Sequence, residues 1–70
     1  QPVKSAMTHL AYRRREAGLS QRALSEASGV SLRAIQQYEQ RRKDINRAQA
    51  LSIHLLAQVL GCHMEDLLEV

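Results

Sequence analysis

The chain holds one cysteine and one proline, no phenylalanine or tryptophan, and no apolar run longer than a few residues. Each scarcity removes a class of explanation. A lone cysteine closes no disulfide, so no oxidising compartment is implied and no covalent staple supports the core. The apolar runs fall far short of the roughly 20 residues a bilayer-spanning helix needs. Gln1-Pro2-Val3-Lys4-Ser5 precedes no apolar stretch, so the start does not read as a secretory signal. It also lacks an initiator methionine, as expected of a trimmed chain or a domain cut from a longer protein. No Gly-rich phosphate loop, nucleophile motif or paired acid site is visible, so the expectation is a protein without catalysis, cofactor or small-molecule substrate. His9, His54, Cys62 and His63 stand at spacings that do not converge on a metal. Cys62 reads as filler of a small core position.

What is present is charge, unevenly placed. Residues 1–60 carry all 10 Lys and Arg against four acids, a net +6, whereas residues 61–70 carry three acids and no base, a net −3. A basic body with an acidic end suits a polyanion on one surface. Seventy residues make one domain, 1–70, whose small core buries only about 60% of its unfolded surface. Alanine, leucine, glutamine, glutamate and arginine dominate, and no stretch alternates with period two, so the fold is expected to be all-α.

The punctuation predicts five helices. The first runs from about Lys4 to Ala17 and stops at Gly18. The second follows a Ser20 cap and ends near Ser28, with Gly29 free to turn left-handed. The third follows a Ser31 cap and runs to about Gln40. After the basic loop Arg41-Arg42-Lys43-Asp44-Ile45, Asn46 caps a fourth helix that closes at Gly61, and a short fifth holds Met64 to Glu69. The second and third, within residues 20–40, read as a helix-turn-helix. Stepping about 100° per residue from a buried Ile35 places Arg33 at about 160° and Gln37 at about 200°, facing outward one turn apart, with Gln36 at about 100°. Arginine grips guanine O6 and N7 bidentately and glutamine does the same for adenine N6 and N7, which is the chemistry of the major groove.

The frame Arg14…Gly18-Leu19-Ser20-Gln21…Leu24…Gly29-Val30-Ser31…Ile35…Tyr38-Glu39 resembles the phage-repressor/Cro class of helix-turn-helix domains, also called the xenobiotic-response-element family. Leu56-Ala57…Leu60-Gly61-Cys62…Met64-Glu65-Asp66-Leu67-Leu68 resembles that family's last two helices, so the likeness spans about residues 7–68. The resemblance implies a compact five-helix, lambda-repressor-like fold and a sequence-specific regulator of bacterial or phage type. It would be a cytoplasmic, nucleoid-associated repressor reading double-stranded DNA with its third helix. By the same resemblance Leu32, Arg33, Gln36 and Gln37 read bases, Gln21 holds a phosphate at a helix start, and Arg14 and Glu39 form a structural ion pair. Leu32 stands where a polar residue is frequent, and it either touches a thymine methyl or packs. Ser25 and Ser28 replace a small and an apolar residue, predicting a less well-packed turn. Arg41 replaces a frequent glycine, predicting a different path for the loop.

Arg41, Arg42 and Lys43 follow the third helix where the chain should cross the phosphates, and Ser20, Arg22, Arg47 and Arg13 are further phosphate candidates. The fourth helix is apolar on two sides. Ile53, Leu56, Ala57 and Leu60 share one, and Leu51, Leu55 and Val59 share the other, read as a homodimer interface extended by Met64, Leu68 and Val70. A dimer sets two reading helices about one DNA turn apart, on a palindromic operator. The rival reading keeps the fold and makes it a protein-interaction module, antitoxin-like or a bridging cofactor.

Overall fold

A computed structural model describes residues 7–69, all helices, turns and loops with no strand among them. Lys4, the expected start of the first helix, and Val70 lie outside the described residues. The elements are α1 (His9–Glu16), α2 (Gln21–Ser28), α3 (Leu32–Glu39), a 3₁₀ turn at Ile45–Arg47, α4 (Ala50–Leu60) and a second 3₁₀ turn at Met64–Leu67. Four α-helices therefore stand where five were expected. The last segment is too short, at four residues, to close more than one tight turn before Leu68 returns to extended backbone. Its shape is set by Asp66, whose carboxylate accepts the His63 N–H at 3.1 Å.

Two helix starts differ from expectation for one reason, a side chain that captures the backbone elsewhere. Thr8 is buried and extended, and its Oγ1 accepts the Ala11 N–H at 3.1 Å. That makes Thr8 the cap of α1 and leaves Met7 outside the helix. Asp44 plays the same part further on. Its carboxylate accepts from the Asn46 N–H at 2.9 Å and starts a 3₁₀ turn, so α4 begins only at Ala50 and Asn46 caps nothing. The starts of α2 and α3 follow their serines, with Ser20 accepting from Ala23 N–H and Ser31 from Ala34 N–H.

Every element contributes to a single aliphatic core. Leu10 of α1, Leu24 of α2, Ile35 of α3, Leu56 of α4 and Leu67 of the last turn are almost completely shielded, with Ile45 and Ile53 beside them. Burial of such side chains at about 1.5–3 kcal/mol each is the main force holding helices this short, which are marginal alone. Helix α2 packs on both α3 and α4, and the last turn closes against α1 and α4. On α4, Leu55 and Val59 lean partly on this core, while Leu51 points outward. The outer stripe of α4 is thus narrower than its sequence pattern suggested.

Candidate nucleic-acid interface

The hairpin between α2 and α3 is closed by polar atoms. Gly29 takes the left-handed conformation at φ 82°, reversing the chain. Ser25 Oγ then donates to the Val30 carbonyl at 2.7 Å, and the Val30 N–H donates to Ser28 Oγ at 3.1 Å. Both backbone groups of the buried Val30 are satisfied by the two serines. This corrects the expectation of a loosely packed turn: hydroxyls at these positions replace packing with directed bonds.

Beneath α3 lies a charged lock. Arg14 donates from Nε to Glu39 Oε2 at 2.7 Å and from Nη2 to Oε1 at 3.1 Å, a bidentate pair with both side chains largely shielded. Its remaining nitrogen Nη1 donates to the Leu19 carbonyl at 2.8 Å, and Gln21 Nε2 donates to Glu39 Oε1 at 2.9 Å. One carboxylate at the end of α3 thereby joins α1 and the first turn of α2. Gln21 is held by this network, which aims the start of α2 and leaves its amide oxygen outside those bonds.

With one side of α3 locked at Ile35 and Glu39, the other is presented outward. Arg33 is exposed, and Gln36 and Gln37 are half-buried. None of these three side chains bonds to another described residue. Leu32, at the first position of α3, is half-buried too. At the start of α2, Ser20 and Arg22 are exposed, and the first amides have no intrahelical acceptor.

The trailing basic loop is more selective than its composition. Arg41 takes φ 61°, the one non-glycine residue with positive φ among those described. Its N–H donates to the Tyr38 carbonyl at 3.2 Å, and the Arg42 N–H reaches back to the Gln37 carbonyl at 2.9 Å. This is the two-bond helix ending that glycine usually makes. The chain therefore leaves α3 by a glycine-type ending although the residue is arginine. The Arg41 side chain lies along the surface, donating to Glu69 Oε1 at 3.2 Å and to the Met7 carbonyl at 3.3 Å. Arg13 sits 3.7 Å from Asp66, and Arg47 sits 3.9 Å from Asp44. Arg42 and Lys43 remain exposed, with side chains unpaired among the described residues.

Sequence reasoning did not find Asn46 and Glu69. The Asn46 amide bonds the Glu69 backbone in both directions, at 2.9 and 3.3 Å, across 23 residues of chain. No local pattern announces such a pair. Cys62 is half-buried, and burial pushes its thiol up despite the opposing pull of Arg13, with Asp66 adding to the rise. The described residues contain no His/Cys/Asp/Glu group arranged to hold a metal and no helix long and apolar enough to cross a membrane.

A helix-turn-helix family model matches residues 10–67, the span from the first buried core leucine to the last. No curated protein and no solved structure matches the chain.

Proposed function

We propose, from the premise that the chain belongs to the helix-turn-helix family of the xenobiotic-response-element type, a DNA-binding regulatory family, that it reads an operator with α3 in the major groove and acts as a repressor. The observation carrying this reading is the exposed Arg33, unpaired among the described residues and one turn from Gln37 on a helix whose other side is fixed by Ile35 and the Arg14–Glu39 pair. An arginine without an internal partner among the described residues, on a helix whose backbone is fixed from the other side, suits base reading. Gln36 and Gln37 supply the second turn of contacts, and Leu32 meets a thymine methyl or packs at the rim.

Phosphates are held on both sides of α3. Ser20, Gln21 and Arg22 serve at the start of α2, where free amides favour an anion. Arg42 and Lys43 serve in the trailing loop. Arg41 and Arg13, satisfied by Glu69 and Asp66, are assigned no phosphate. A homodimer through the outer side of α4, centred on the exposed Leu51 with Leu55 and Val59 at its edge, places two copies of α3 on a palindromic site.

Selection of bound sequences from a random duplex library, with wild type and Arg33→Ala in parallel, tests the reading. The expected result is an inverted repeat that loses one base preference in the variant, a discrimination of about 1–3 kcal/mol. No enrichment at moderate salt overturns it and directs attention to a protein partner for α4.

A further inference from the structure

Both ends of the basic loop are fastened to the same residue. At its start the Arg41 guanidinium donates to Glu69 Oε1, and at its end the Asn46 side chain accepts from the Glu69 N–H and donates to the Glu69 carbonyl. Glu69 is itself anchored on α1. Its Oε2 accepts the His9 N–H at 2.6 Å, and the His9 ring bonds the preceding Leu68 carbonyl through Nδ1 at 2.7 Å. A carbonyl oxygen only accepts, so this Nδ1 carries the proton.

Between the two fastenings Ile45 is the one loop side chain buried in the core. A cleft of about 370 Å³, lined by Arg42, Lys43 and Glu69 among others, opens beside the rest. The course of residues 41–46 is shaped by the backbone bonds of Arg41 and Arg42 to Tyr38 and Gln37 at the end of α3, by Asp44 capping Asn46, by the buried Ile45, and by the bonds to Glu69. A loop whose cations must meet phosphates gains affinity when its backbone is ordered before binding, because the ordering entropy is not then charged to the complex.

We infer that Glu69 and Asn46 are positioning residues for the phosphate-holding loop, setting Arg42 and Lys43 against the DNA backbone from the far end of the chain. This rests on the DNA-binding reading above. The carboxylate, being an anion near the interface, opposes DNA by simple electrostatics.

That opposition makes the test a matter of sign. Affinity for the selected duplex is measured against salt concentration for wild type, Asn46→Ala, Glu69→Gln, Lys43→Ala and the Asn46→Ala/Lys43→Ala double variant, each well below its unfolding midpoint by circular dichroism. Asn46→Ala, which changes no charge, is expected to weaken binding about tenfold and to lower the log–log salt slope by roughly one phosphate equivalent, about 0.9. Glu69→Gln is expected to weaken binding although it removes a negative charge. Lys43→Ala should lower the slope in the wild-type background and change it little in the Asn46→Ala background, a non-additivity that a general loss of stability does not produce. Base preference at the Arg33 position should be unaltered throughout. Unchanged slope and affinity in Asn46→Ala, tighter binding in Glu69→Gln, or additive effects in the double variant each overturn the inference. A wild type that binds no duplex, or a Lys43→Ala that leaves its slope untouched, fails the DNA reading or its loop assignment instead.

Discussion

The turns before and after α3 do the same geometric job by opposite means. The leading turn, around Gly29, is closed by Ser25, Ser28 and Ser31, each bonding a backbone group within five positions of itself. The trailing turn, around Arg41, is closed at its helix end by local backbone bonds. Beyond that it depends on Glu69, 28 residues away along the chain. The leading turn is buried at Val30 and Ser28, whereas residues 40–44 are exposed. Helix α3 thus has a locally closed front and a tethered back. Local closure at the front suits residues that must meet base edges at fixed distances, and a tether at the back suits cations that need only meet phosphates.

The comparison breaks most visibly at Glu39, which closes α3 just before the trailing turn. Glu39→Ala leaves the shielded Arg14 charge without its partner and Gln21 without its acceptor. The expected loss is about 3–5 kcal/mol in urea unfolding. A loss below about 1 kcal/mol would mean that water reaches Arg14 and that the lock contributes little.

Ser28→Ala probes the front. It strips the buried Val30 N–H of its acceptor, for an expected cost of about 1–3 kcal/mol, against less than about 1 kcal/mol for Asn46→Ala at the exposed back. Equal costs at the two sites would erase the distinction between them. A further pair of variants isolates backbone strain in the trailing turn. Arg41→Gly and Arg41→Ala both lose the Glu69 pair, worth roughly 0–1 kcal/mol at this exposure, but only glycine relieves the left-handed conformation. The glycine variant should be the more stable by about 1–2 kcal/mol in thermal or urea unfolding. Parity between them would show that the loop rearranges once Arg41 is gone.

The parts of the molecule legible in sequence are those whose causes are near in the chain. Ser20, Ser31, Gly18, Gly29 and Gly61 announce the ends of helices because capping and left-handed turns act within four residues. Ile35 and Arg33 are assigned opposite sides of α3 by helical period alone. Where two local signals compete, the reading failed. Asn46 and Asp44 are both good caps, and Asp44 won by bonding the Asn46 N–H, which delayed α4 to Ala50. Thr8, within the span first read as continuous helix, is a cap because its backbone is extended and its hydroxyl faces Ala11.

The interface divides along the same line. Composition marks Arg13, Arg41, Arg42, Lys43 and Arg47 alike as basic, since each carries the same charge wherever it points. Only folding brings Glu69 to Arg41 and Asp66 to Arg13, and so separates cations with a carboxylate beside them from Arg42 and Lys43, which have none among the described residues. Sequence by itself determined the all-α class, the hairpin of α2 and α3 and the outward placement of Arg33 and Gln37, because helical period and caps are properties of neighbouring residues. Tertiary structure decided which charges are spent internally and what holds the trailing loop, because those bonds join residues that only the packed core brings within 3.3 Å of one another.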